Sequence, residues 1–410
     1  MLAGIVLVTI VAYLNIFQNG FAIDDHVFIG KYHPTIAQAF RGSVPAGHEG
    51  VYRPVRGLLY TAYYQLFGTN PFFYHLHSLV VHLTATALVF FIISVIARSE
   101  SASDAAISHN RMRSPRRQNG LAMTAGVAAL LFGLHPVHTE SITYIASSMD
   151  MTGIVFFLAS FLLYVSSLAR NVARGKLRWG SILSIILALL AFFTYEMTLT
   201  LPILLVLYEL VLRTPPVIPA HAGIYEDGSV PAEAGIKPGM TQRILPYFFG
   251  AAGYLCIRFF LLGIISRGVW LAGSVYLTAL TMTKVLVHYL WVTIFPVHLT
   301  NNHIISPGIE AFVYRGYRTA AILSQSILDP EILFLIGVIG GIGVIGWNLR
   351  KTMPLVSFGV AWFFVTLLPV MGLVPQGSVF NERMLYLPSV GFVMVVAYAF
   401  VLSKQRLLLV

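Results

Sequence analysis

Charge is what this sequence has least of. Its 410 residues include 26 Lys and Arg and 16 Asp and Glu, so charged residues make up only 10% while hydrophobic residues make up 57%. A soluble domain carries roughly 25% charged residues, and a surface this poor in charge could not keep the chain dispersed in water. That excludes the soluble globular and disordered classes. Cysteine is also nearly absent. The single Cys256 excludes an intrachain disulfide, a thiolate metal site and an iron–sulfur centre. It lies in an apolar run and reads as a small buried side chain.

Apolar sequence is abundant, and it comes in runs. Stretches near the length a helix needs to cross a bilayer occupy 2–19, 75–97, 121–138, 150–168, 180–195, 197–212, 245–265, 328–348, 354–370 and 384–402. A further stretch, 268–298, contains Lys284, His288 and Pro296 and reads as a hairpin, a re-entrant pair or one tilted span. The expectation is an all-α polytopic membrane protein with about ten to twelve transmembrane helices in one membrane domain over 1–410. The first run has no basic flank and no small-residue cleavage site, so it reads as a retained helix.

The loops give the orientation. The segments around 98–117, 170–178, 213–243, 350–351 and 404–406 hold sixteen of the 26 basic residues, and with Glu209 they hold six of the 16 acids. The excess of ten equals the formal net charge of +10. Placing these loops in the cytoplasm satisfies the positive-inside rule, so the basic balance reports orientation, not nucleic-acid binding. The Pro-, Gly- and Ala-rich 213–244 segment becomes a cytoplasmic connector. Residues 20–74 form a long first non-cytoplasmic loop with an interfacial helix near 56–68, and 299–327 and 371–383 form two more outer loops.

The few polar residues at span ends gather on that outer side. Asp24 and Asp25 are either a hydrated cap or, in a confined pocket, a proton acceptor or metal ligand. Arg53 and Arg56 either snorkel to headgroups or hold a phosphate. His75 and His82 share a helix face with no third metal ligand in view. The densest cluster is His135-Pro-Val-His138-Thr-Glu140-Ser, followed by Asp150; it reads as interfacial capping or as a sugar-binding corner. Glu196 lies between apolar runs, where a carboxylate needs a partner. Glu382, Arg383 and Tyr386 open the last span, and Arg383 with Lys284, Arg315 and Arg318 could hold a lipid-linked phosphate.

These segments, FAIDDHVFI, VYRPVRGLLY, FYHLHSLVVHL, LFGLHPVHTESITYIASSMD, YEMTLTLPILLVLYEL, YLWVTIFPVHLT and NERMLYLPSVGF, resemble the GT-C superfamily of membrane glycosyltransferases. Within it they are most similar to the membrane part of the transmembrane and TPR repeat-containing O-mannosyltransferase family and its bacterial relatives. The resemblance runs from residue 21 to about 392 without the TPR tail, so recruitment of a protein acceptor through such repeats is not expected. It implies a GT-C-like bundle that moves a sugar from a polyprenyl-phosphate donor to an acceptor hydroxyl. It also implies that the acidic motif is Asp24-Asp25, the first-loop arginine Arg53, the histidine–glutamate motif His135, His138 and Glu140, and the late pair Glu382 and Arg383. Two family cations are replaced, at Ser148-Met149 before Asp150 and at Tyr195 before Glu196.

The expected reaction is an inverting displacement. Asp24 or Asp25 takes the acceptor proton, and Arg383, seconded by Arg53, neutralises the leaving lipid phosphate. No cofactor is required, although a divalent metal on Asp24 and Asp25 is compatible. The expected surroundings are a bilayer, in particular a bacterial cytoplasmic membrane with the site facing the periplasm; a membrane-protein partner is compatible. Two rivals stand beside this reading. One is a non-catalytic subunit descended from such an enzyme, and the other is a lipid or solute transporter.

Overall fold

The computed structural model describes residues 1–45, 48–107, 115–171, 179–212, 239–266, 268–300, 303–305, 309–310, 323–375 and 377–407. The connector over 213–238, Arg315 and Arg318 lie outside them.

The described chain is helical. In order come α1 (Leu2–Tyr13), α2 (Asp25–Lys31), α3 (Ile36–Phe40), α4 (Pro54–Phe67), α5 (Pro71–Ile107), α6 (Pro115–Leu134), α7 (Thr139–Thr143) and α8 (Ile145–Asn171). Then follow α9 (Trp179–Phe192), α10 (Leu201–Val211), α11 (Met240–Cys256), α12 (Val275–Ile294), α13 (Pro330–Asn348), α14 (Pro354–Leu367) and α15 (Pro388–Leu407). The strand pairing is a two-residue antiparallel match of Ile304–Ile305 with Ile309–Glu310. Six of these helices begin on proline, whose missing N–H has no intrahelical partner to lose at that position. Helix α4 falls where the interfacial helix was expected.

Five described helices are long and apolar enough to cross a membrane: α5 to Arg98, α8 to Leu168, α11 continued to Leu261, α12, and α13 continued to Lys351. Shorter apolar helices cover Leu2–Gln18, Ala122–Leu134, Trp179–Phe192, Pro354–Val370 and Pro388–Lys404. The protein is a polytopic helical membrane bundle with a long segment between its first helix and α5.

Small residues set the helix spacing. Ser160 on α8 and Ser184 on α9 each donate to the other's backbone carbonyl at 2.7 Å, and Ser184 also meets the Tyr247 hydroxyl of α11 at 2.7 Å. Gly359 and Gly391 bring α14 and α15 together so closely that a Cβ on Gly391 would run into the Gly359 carbonyl oxygen. In a bilayer, where lipid is as apolar as Leu, such close backbone approach and buried polar contacts hold helices together. Phe157, Phe161, Phe358 and Trp362 fill the core beside this crossing, and the Trp362 indole donates to the Leu387 carbonyl.

The loops divide between two ends of the bundle. At one end, the site end, the 20–70 segment meets 135–150, 193–200 and 257–274, and 371–389 joins 135–150 through Arg383 and Glu140. At the other, Glu209 accepts from the Tyr164 hydroxyl at 2.7 Å and from Arg243 at 3.2 Å.

Helix α12 touches the site end along its whole length. The Thr278 hydroxyl accepts from the Leu271 N–H, Tyr289 accepts from the Asn381 N–H, and the Thr293 carbonyl lies 3.1 Å from His135 Nε2. Thr278 and Thr293 stand about 22 Å apart along the helix, yet both meet site-end loops. Both halves of α12 therefore contact loops of that end. Of the arrangements open for 268–298, the structure gives one long helix, which is among the candidate spans.

Cys256 is exposed, contrary to the burial expected of it. It shares a helix face with Phe249 and Phe260, both outward-facing, so its apolar neighbours mark a lipid-facing stripe and not a core.

Candidate functional site

The two aspartates of the first loop have different surroundings. Ile23 adopts a left-handed φ of 49°, a conformation a β-branched residue takes only when its surroundings force it. The chain turns there and enters α2. Asp25 points inward with 0% exposure. Its Oδ2 accepts from the Ala22 N–H at 3.0 Å and its Oδ1 from the Ala146 N–H at 2.8 Å. Ala146 opens α8, so the carboxyl sits on a helix N-terminus. Burial pushes Asp25 up to about 6, against the pull of those N–H groups. Asp24, at the N-cap of α2, stays half-exposed, with the Tyr144 side chain beside it.

A chain of alternating charges follows. Arg53 stands at the N-cap of α4, where Pro54 starts the helix. Its Nη1 donates to Asp150 Oδ2 at 2.6 Å and its Nε to Glu196 Oε2 at 2.6 Å. Arg56, one turn along α4, donates to Asp150 Oδ1 at 3.1 Å. The far oxygen of Glu196 meets Arg258 at 3.4 Å. Burial pushes the Glu196 carboxyl up, but the Arg53 and Arg258 guanidiniums outweigh it and hold the group below its ordinary range. Tyr195 places its ring 4.8 Å from the Arg53 guanidinium carbon and so contributes an aromatic face to a cation from the start of α4.

Glu140 and Arg383 form the other half. The Arg383 N–H donates to Glu140 Oε2 at 2.9 Å, and its guanidinium Nη1 stands 3.3 Å from Oε1. That second contact is an ion pair without hydrogen-bond geometry, since Oε1 receives no donor. Burial pushes Glu140 up, and Arg383 opposes it. The Arg383 guanidinium also lies over the Tyr144 ring at 5.6 Å. Tyr144 thus adjoins both Asp24 and Arg383.

The remaining candidates fasten this arrangement from behind. His138 Nε2 lies 2.9 Å from the Ser389 hydroxyl, and His82 Nδ1 lies 2.8 Å from the Tyr386 hydroxyl. His135 meets the Thr293 carbonyl and so pins the end of α12. His75 is buried against the backbone at Asn19 and Gly20. Glu382 turns away from Glu140 and accepts from the Thr300 N–H and from His303 Nε2, both at 2.7 Å. Lys284 does not join Arg383; it donates to Glu331 of α13 at 2.6 Å. Among the described residues, no three His, Cys, Asp or Glu side chains converge in a way that could hold a metal ion.

Sequence reasoning missed Arg258, His303 and Tyr144. Arg258 carries the one signal that could have found it, a cation inside an apolar run. Such a residue needs a partner.

The chain is similar to several curated O-mannosyltransferases. It is 26% identical over 437 residues to Protein O-mannosyl-transferase Tmtc3 of Drosophila melanogaster, an alignment covering 97% of this chain and 46% of that protein. It is 25% identical over 375 residues to human TMTC4, covering 86% and 48%, and 24% identical over 425 residues to mouse TMTC3, covering 96% and 41%. The chain spans a little under half the length of these relatives. No protein-family model matches it, and no solved structure does. The relationship is distant, and it is consistent with a membrane glycosyltransferase-like bundle.

Proposed function

We propose that the protein transfers a sugar from a polyprenyl-phosphate donor to an acceptor hydroxyl, with inversion, on the non-cytoplasmic face of its membrane. The single observation that carries this reading is the placement of half-exposed Asp24 and the Arg383 guanidinium beside the same side chain, Tyr144. The distant likeness to O-mannosyltransferases supports it.

In this reading Asp24 is the base. It accepts the acceptor's hydroxyl proton while that oxygen bonds to the anomeric carbon, and the anomeric carbon–phosphate oxygen bond breaks. The phosphate keeps the bonding electron pair, and Arg383, with one ion-pair partner among the described residues, stabilises its charge. A phosphate leaves without acid assistance, so one base suffices. Asp25 has both oxygens committed to backbone donors; its role is to hold α2 against α8. Arg53 is the second cation toward the phosphate. The lipid tail enters sideways from the bilayer.

One observation favours a second reading, a non-catalytic subunit of the same ancestry. Arg53 and Arg56 are already engaged by Asp150 and Glu196. The test is purified protein in lipid given polyprenyl-phosphate sugars and hydroxyl acceptors. Release of polyprenyl phosphate by the parent protein, and its loss in Asp24→Asn, is the expected result. If no donor in a mannose, glucose and N-acetylglucosamine panel is consumed, the subunit reading takes over.

A further inference from the structure

Arg258 is a cation with 8% exposure in an otherwise apolar run. It sits one turn after the buried Tyr254, in a π-helical turn over Ile257–Leu261. Such wide turns insert an extra residue into a helix and often mark functional positions. Its guanidinium reaches three segments at once. It donates to the Gly50 carbonyl at 3.1 Å, to the Ile264 carbonyl at 3.3 Å and to Glu196 Oε1 at 3.4 Å.

Charge counting gives this contact a function. In the series Arg56, Asp150, Arg53, Glu196 and Arg258, three cations alternate with two anions. The surplus is one positive charge, and Arg258 supplies it. Without Arg258 the series is neutral, and Glu196 turns its full charge on Arg53, the cation at its centre.

We infer that Arg258 is a positioning residue for the lipid-phosphate donor: by occupying Glu196 it leaves Arg53 able to share its charge with an anion. This rests on the reading of the site as one for polyprenyl phosphate. Arg258 itself need not touch the donor.

The prediction separates this role from simple structural support. Donor KM and kcat, and the Kd for polyprenyl phosphate alone, are measured for the parent protein in lipid nanodiscs. The same is done for Arg258→Gln, Arg258→Lys, Glu196→Gln and the Arg258→Gln/Glu196→Gln double variant. Arg258→Gln is expected to raise KM and Kd about tenfold with a smaller change in kcat, and Arg258→Lys to retain most of the affinity. The double variant, which removes the acid along with its partner, is expected to return to within about twofold of the parent Kd. Glu196→Gln alone is expected to bind polyprenyl phosphate at least as tightly as the parent. Losses that add in the double variant, or an unchanged Kd in Arg258→Gln, overturn the inference. If Arg258→Gln does not fold, weaker binding by Glu196→Gln overturns it instead. A parent protein that binds polyprenyl phosphate without turnover sinks the transfer reading and leaves the binding cycle as the test here. A parent that does not bind it overturns both.

Discussion

Arg383 holds Glu140 through both its backbone N–H and its guanidinium, at 2.9 and 3.3 Å. These residues lie 243 positions apart in sequence. Together they make the corner after α6 and the entry to α15 one piece.

Glu140→Ala removes the acceptor of a part-buried N–H and the counter-charge of a part-buried guanidinium. It should destabilise the protein by about 1–3 kcal/mol and lower transfer by at least tenfold. Thermal unfolding in detergent and turnover per folded molecule report the two effects separately. Unchanged unfolding would show that the corner does not depend on this pair.

The two aspartates should separate cleanly. Asp24→Asn should reduce turnover by about 10²- to 10⁴-fold while leaving the melting curve nearly unchanged. Asp25→Asn places an amide donor against the Ala22 or Ala146 N–H and should lower stability by about 1–3 kcal/mol. The reverse pattern, with Asp25→Asn silent in unfolding and Asp24→Asn fully active, would reassign the base.

Asp25 also predicts a pH dependence of stability. Burial lifts its carboxyl to about 6, from roughly 4 in an unfolded chain. The folded state then binds the proton more tightly than the unfolded one. Its stabilising contribution is full below about pH 4 and is lost as pH rises through about 6, with an upper bound of about 3 kcal/mol. Melting temperatures across pH 4 to 7 should fall through this window in the parent protein, and the slope should flatten in Asp25→Asn.

Gly391→Ala tests the α14–α15 crossing. The added Cβ meets the Gly359 carbonyl oxygen and the Phe363 backbone nitrogen, neither of which a rotamer change can move. Destabilisation of about 1–3 kcal/mol is expected, read as a lower melting temperature. Ala tolerated without loss would mean that the helices can separate there.

Much of this architecture was legible because hydrophobic runs are local signals. Asp24, Glu140, Asp150, Glu196 and Arg383 stood out for the same reason, since scarce charge makes each position conspicuous, and the structure gathers them at one end of the bundle. Pairing was not. Arg53 finds Glu196 across 143 residues, and no spacing rule connects them. Nor could composition tell Asp24 from Asp25; the turn at Ile23 directs one outward and the other into the backbone of α8. Arg258 was hidden in a run whose hydropathy reads as a span, and its partners come from three separate segments.

Helix α12 also acts as a spacer. Near one end Thr278 is tied to Leu271, and at the other the Thr293 carbonyl is tied to His135. A helix of 20 residues is about 30 Å long and does not stretch. The separation of the loop before α12 from the corner after α6 is therefore set by the length of one helix, and neither can shift along it without breaking a hydrogen bond.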